Sequence, residues 1–160
     1  MSHLETTAMG AALAISLYVP AFAETATTAA PIDCGAEFST MDLDSNGTLS
    51  ESEAPRAYAH SRIYGVVLHD SGLTKDAYMA LCASPDWPVK TPDAGAPLAG
   101  ANSFTENQAR DRAVEWNITD VSALTLDDKG VWRGTGKVAG AAVSVAIDYK
   151  GNVVTSAVQP

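Results

Sequence analysis

The sequence predicts an α+β protein with two units. A helical unit covers residues 34–83. A Pro-rich linker at 84–103 leads to a unit of one helix on a three-stranded antiparallel sheet over 104–155. Three observations predict this. An acidic loop, Asp42 to Glu53, is flanked by apolar residues at helical spacing. Four of the eight prolines (Pro85, Pro88, Pro92 and Pro97) fall between Ser84 and Ser103, as in a semi-extended linker. Beyond them, a capped helix gives way to runs that alternate apolar and polar residues.

Residues 1–23 read as a signal peptide. Met9 to Val19 is apolar, Pro20 breaks the run, and Ala21-Phe22-Ala23 gives an A-x-A cleavage site with Glu24 as the mature start. A stretch of roughly 15 apolar residues is too short for a spanning helix, which needs about 20. No stable membrane span is expected. The segment before Met9 carries His3 and Glu5 but no Lys or Arg, unlike an ordinary signal peptide. An apolar unstructured N-terminus or an uncleaved anchor are the alternatives. Residues 24–33 form a short Ala/Thr-rich lead. Export places the chain in a periplasm or outside the cell.

The chain has 160 residues, 46% of them hydrophobic and 18% charged, which suffices for a packed core. Its formal net charge of −9 repels phosphate backbones and anionic lipid surfaces, so nucleic acid is not an expected partner. Acidity also suits a protein that binds a divalent cation.

In the first unit a short helix is expected from Ala36 to Met41. A second lies within Glu51 to Val67, with Pro55 tolerated in its first turn. A third covers Thr74 to Ala83, with Thr74 as its N-cap. Between the first two runs Asp42-Leu43-Asp44-Ser45-Asn46-Gly47-Thr48-Leu49-Ser50-Glu51-Ser52-Glu53. This fills the pattern D-x-[DN]-x-[DN]-G-x5-E completely. Calcium is a hard cation that takes six to eight oxygens. Asp42, Asp44 and Asn46 alternate, so their side-chain oxygens converge as the chain curls, and Gly47 allows the sharp turn. Thr48 would offer its backbone carbonyl, Ser50 its hydroxyl directly or through a water, and Glu53 both carboxylate oxygens. Leu49 is apolar, as suits a core-facing residue in a short β bridge. The plain alternative is an Asx-rich surface loop with no metal.

Residues Ala36 to Tyr58 resemble an EF-hand of the calcium-binding superfamily. The resemblance implies calcium as the bound ion and Asp42, Asp44, Asn46, Thr48, Ser50 and Glu53 as its ligands. Such hands usually pair. Leu68 to Tyr78 echoes the first loop but lacks its acidic ladder and its last glutamate, so it reads as a metal-free partner whose Gly72-Leu73-Thr74 could pair with Thr48-Leu49-Ser50. Cys34 and Cys82 then lie on the first and last helices of the pair, where a disulfide would clamp it. In an exported protein two cysteines so placed are a plausible disulfide, closing a loop of about 49 residues and contributing roughly 4 kcal/mol. Two buried thiols are the alternative. A clamped pair opens less than a sensor does, which favours a structural or buffering role. A trivalent lanthanide would meet the same oxygens.

In the second unit Thr105-Glu106-Asn107-Gln108 fits a capping box, opening a helix that runs to about Asn117 with Ala109, Ala113 and Trp116 on one face. Strands are expected at Val121–Leu126, Val131–Val138 and Ala142–Tyr149. In the last, Val143, Val145, Ile147 and Tyr149 share one side, and Ser144 and Asp148 the other. Ser103 to Arg110, Thr119 to Leu124, Gly130 to Thr135 and Val145 to Val153 resemble the PepSY family of exported bacterial domains. The resemblance implies protein interaction outside the cytoplasm and, in some members, restraint of peptidases, with the partner unidentified. Where that family often ends its helix on a glycine, this chain has Glu115-Trp116-Asn117.

Catalysis finds no machinery in the sequence. It holds no G-x-S-x-G, phosphate loop or H-E-x-x-H, and the chain is not read as an enzyme. His60 and His69 lack the spacing of a helical zinc pair and read as surface or capping residues. Asp127-Asp128 reads as a turn. Trp87, Trp116 and Trp132 read as linker anchor, helix core and sheet core.

Overall fold

The acidic loop is entered by helix α1 (Cys34–Met41), which Asp33 caps by accepting hydrogen bonds from the Gly35 and Ala36 amides at 3.1 and 3.0 Å. The computed structural model describes residues 32–68 and 72–158, all within one compact unit, Ile32–Pro160. The expected signal peptide, most of the lead segment, and His69 to Ser71 in the second loop lie outside the described residues. Strand β1 (Thr48–Leu49) crosses the acidic loop, and helix α2 (Pro55–Tyr64) leaves it with proline in its first turn. Pro55 needs no N–H partner there, which is why it opens the helix without breaking it. Gly65 ends α2 at φ +71°, a left-handed position that glycine takes without strain. Strand β2 (Leu73–Thr74) pairs antiparallel with β1, Thr48 facing Thr74 and Leu49 facing Leu73. Thr74 then caps α3 (Lys75–Cys82), accepting from the Ala77 amide at 3.3 Å.

Phe38, Leu49, Leu73, Tyr78, Leu81 and Trp87 form the core of this half, each almost fully buried. The Phe38 and Tyr78 rings lie 5.8 Å apart, and Tyr78 meets Trp87 edge-on at 5.6 Å. Cys34 and Cys82 form a disulfide with Cα atoms 5.9 Å apart, joining the start of α1 to the end of α3.

Residues 84–103 adopt no helix or strand and are mostly exposed, but the segment is tied down at several points. Trp87 sits in the first core, and Asp93 bridges Val154 in parallel through Asp93 N–H to Val153 O (2.9 Å) and Thr155 N–H to Asp93 O (3.0 Å). Helix α4 (Glu106–Glu115) follows with its capping box formed as expected. Thr105 accepts from the Gln108 amide at 3.3 Å, and Gln108 accepts from the Thr105 amide at 2.9 Å. Asn117, at φ +63°, takes the left-handed turn that a glycine would otherwise supply.

The sheet has four strands, not the three expected, in the order β3 (Thr125–Leu126), β4 (Trp132–Val138), β5 (Ala141–Ile147) and β6 (Val153–Ala157), all antiparallel. The first expected strand shrinks to two residues. Asn117 and Asp120 both have positive φ, so before β3 the chain meets β4 at separate points, chiefly the Thr119–Lys137 bridge and the bonds between Ser122 and Thr135. Strand β6 has no signature in the sequence, since two valines followed by Thr155, Ser156 and Ala157 carry almost no alternation. Pairing with β5, Ile147 facing Val153, is what makes it a strand. Gly136 on β4 is required by close packing: a Cβ there would lie 2.5 Å from Ile118 Cγ2. The inner face packs on α4 through Ala109, Ala113, Ile118, Val145, Ile147 and Val153. On the outer face the run from Asp93 to Leu98 touches the sheet at two points, the Asp93–Val154 bridge and the Leu98 amide on Asp148, and leaves much of the rest open. Asp148, on the side of the strand opposite Val145 and Ile147, is buried and accepts from the Lys150, Asn152 and Leu98 amides at 2.9, 3.1 and 3.3 Å.

Candidate metal centre

Each loop residue is held by the element beside it. Asp42 is the C-cap of α1, and its amide donates to Phe38 O at 3.0 Å. Its two carboxylate oxygens accept from the Asn46 and Gly47 amides at 3.1 and 3.0 Å, curling the chain back on itself. Asp44 accepts from the Asn46 amide at 3.1 Å and from Asn46 Nδ2 at 2.8 Å. Gly47 sits at φ +81°, a conformation that costs a side-chain-bearing residue roughly 1–2 kcal/mol. At the far end Glu53 stands just before α2. Its carboxylate accepts from the Ser50 amide (2.8 Å), the Ser50 hydroxyl (2.7 Å) and the Leu43 amide (3.0 Å). The two bonds from Ser50, chiefly the backbone one, hold the Glu53 carboxyl below its ordinary value.

One oxygen each from Asp42, Asp44 and Glu53 lies within 4.8 Å of the others. Among the described residues none of these three forms a salt bridge. Three carboxylates face one another, each accepting backbone amide hydrogen bonds. A cation placed among them would relieve their mutual repulsion, and a donor set made only of oxygen would suit a hard one. Ser50 reaches the cluster through Glu53, and Thr48 borders it on β1. Asn46 stands beside Asp44, but its side-chain oxygen accepts from the Thr48 amide (2.8 Å) and hydroxyl (2.7 Å). The convergence is thus of three acids, with the three remaining expected ligands at the rim.

Two supports of the site had no signal in the sequence. Tyr58 on α2 donates its hydroxyl to Leu49 O at 2.8 Å, tying the middle of the loop to the helix that follows it. Its place after the loop marked it only as a flanking apolar residue. The second is a buried polar cluster where α2 meets α4. His60 is not a surface residue: it is 2% exposed, and its Nδ1 lies 3.5 Å from Glu115 Oε1, close enough for ion pairing but without hydrogen-bond alignment. Lys90 Nζ reaches the same carboxylate at 3.2 Å and the Tyr64 hydroxyl at 3.3 Å. Burial pushes the Glu115 carboxyl up, but His60 and Lys90 outweigh it and hold it below its ordinary value. Alongside, Arg56 stacks over the Trp87 ring at 4.1 Å and donates to the Glu115 carbonyl at 3.1 Å, while Arg62 grips Asp111 through two bonds of 2.9 and 2.7 Å. Helix α2, which begins two residues after Glu53, is thereby fastened to the sheet half.

Comparison of the chain with protein-family models, with curated proteins and with solved structures returns no match.

Proposed function

We propose that this chain binds one calcium ion in an EF-hand loop running from Asp42 to Glu53. The observation that carries the reading is the convergence of the Asp42, Asp44 and Glu53 carboxylates within 4.8 Å, without a counter-charge among the described residues. Asn46 through its carboxamide, Thr48 through its backbone carbonyl and Ser50 through its hydroxyl complete the oxygen set. The ion supplies positive charge at the centre of the loop, and the chain supplies oxygens on a backbone already curled by its own amide bonds. Leu73-Thr74 acts as the remnant of a second hand that pairs with the first loop but holds no ion. The role is structural or buffering, since the disulfide joins the outer ends of α1 and α3 and limits their opening. That disulfide also suits an exported protein in an oxidising compartment. With three carboxylates against two positive charges, the affinity falls between that of extracellular modules, about 10⁻⁴–10⁻³ M, and that of sensors, about 10⁻⁷–10⁻⁵ M.

Calorimetric titration of the purified protein with calcium tests this reading, with Glu53→Gln alongside. Wild type binds one ion and the variant binds it at least tenfold more weakly. No heat of binding at millimolar calcium would refute the proposal. Repeating the titration in the presence of a lanthanide distinguishes calcium from a trivalent ion.

A second reading is a protein-interaction module of PepSY type braced by the ion. It is favoured by an open groove of about 640 Å³ on the outer sheet face, lined by Pro97, Arg133, Ser144, Ala146, Val154 and Ala157. Capture of a partner by the full chain, lost when Ala146 is replaced by a bulky charged residue, would support it.

A further inference from the structure

The Cys34–Cys82 bond lies far from the acidic loop in chain connectivity but not in mechanics. It joins the outer ends of two helices whose inner ends carry the loop. Helix α1 starts at Cys34 and terminates on Asp42, the first proposed ligand, which is its C-cap. Helix α3 ends at Cys82 and starts from Thr74, the residue paired with Thr48 inside the loop. The ring closed by the disulfide therefore passes through both halves of the site. Apart from that bond, α1 meets α3 mainly where Phe38 packs on Tyr78 and under Lys75 Nζ, and β1 meets β2 over two residues only.

We propose that calcium binding and the redox state of Cys34–Cys82 are thermodynamically coupled, so that the oxidised chain binds calcium more tightly and the loaded chain is harder to reduce. This rests on the calcium reading above. The reductant is a small dithiol. Its thiolate attacks the sulfur of Cys34, the less buried of the two residues, and the Cys34–Cys82 bond breaks. Cys82 leaves as a thiolate and takes up a proton. The second thiol of the reagent then closes on the mixed disulfide, releasing Cys34 as a thiol. Two electrons and two protons pass to the chain, and the reagent ends as a cyclic disulfide. Freed at their outer ends, α1 and α3 no longer hold Asp42 and Thr48 at a fixed separation. The loop must then be ordered by the ion itself, at the cost of affinity. Linkage is reciprocal, so the factor by which oxidation strengthens calcium binding is the factor by which calcium favours the disulfide.

The test reads both sides of the cycle on the purified full chain. Calcium titrations compare the oxidised protein with the dithiol-reduced protein and with a Cys34→Ser/Cys82→Ser variant. The disulfide midpoint is then measured in dithiol redox buffers, with and without saturating calcium, for wild type and Glu53→Gln. We expect about tenfold weaker binding to both the dithiol-reduced protein and the Cys34→Ser/Cys82→Ser variant than to the oxidised protein. A tenfold factor converts to a midpoint about 30 mV more negative in calcium for wild type, with a smaller shift for Glu53→Gln at the same calcium concentration. Equal affinity for the oxidised and reduced forms, with one midpoint in both buffers, overturns the coupling while leaving the calcium site intact. An oxidised protein that binds no calcium overturns both. Circular dichroism of the reduced protein separates coupling through the two helices from wholesale unfolding: loss of its helix and sheet signal on reduction also overturns the proposal.

Discussion

Replacing Glu115 by alanine is expected to destabilise the protein by about 2–3 kcal/mol. The carboxylate is 1% exposed and takes Lys90 Nζ at 3.2 Å, with His60 Nδ1 at 3.5 Å. Removing one partner of a buried pair costs roughly 3–5 kcal/mol, because the other is left charged and unpaired. Lys90 is partly exposed and can turn to water, which lowers the figure. His60 is buried and keeps only its ring contacts, 4.3 Å to Tyr64 and 5.3 Å to Trp87. Urea unfolding followed by tryptophan fluorescence measures the loss, since Trp87 lies against His60 and Trp116 adjoins Glu115. The same cluster sets a pH dependence. The folded Glu115 carboxyl lies below its ordinary value of 4.5, so on acidification the unfolded chain binds the proton first. The stability contributed by the cluster is complete above about pH 4.5 and is lost as pH falls through the lowered folded value. Glu115→Gln should flatten that acid limb. Variants within 0.5 kcal/mol of wild type (an error margin of about the size seen at neutral surface sites) and an unchanged acid limb would refute the cluster as the fastening between α2 and α4.

Two further outcomes follow from single hydrogen bonds. Tyr58→Phe removes the donor to the buried Leu49 residue's carbonyl, at a cost of about 1 kcal/mol. If the loop is held as described, calorimetry should show calcium binding weakened about fivefold. Thr105→Ala breaks the capping box of α4 and should lower stability by about 1 kcal/mol, with calcium affinity unchanged, since the cap lies in the sheet half.

Features set by neighbours along the chain were legible from the sequence. The acidic loop needs residues of defined type at positions one, three, five, six and twelve, and curling the backbone alone brings Asp42 and Asp44 toward Glu53. The Thr74 and Thr105 caps bond amides three residues ahead, so their signatures are local. The short β1–β2 pairing and the Cys34–Cys82 disulfide were readable because the second loop echoes the first.

Tertiary structure alone decided the rest. Lys90 and Glu115 are 25 residues apart, Arg62 and Asp111 are 49 apart, and neither pair leaves a periodic trace. His60 looked like a surface histidine because burial depends on what packs over α2, and that is Trp87 and Glu115 from distant segments. Asp148 stands on the polar side of its strand, yet it is buried, accepting from the distant Leu98 amide and from the Lys150 and Asn152 amides of the turn that follows it. Strand β6 has weak intrinsic preference and exists because β5 offers it hydrogen-bond partners. Local chemistry thus specifies the loop that is proposed to hold the ion. Long-range packing specifies the body to which that loop is anchored, because contact energy depends on proximity in space and one sequence records only proximity along the chain.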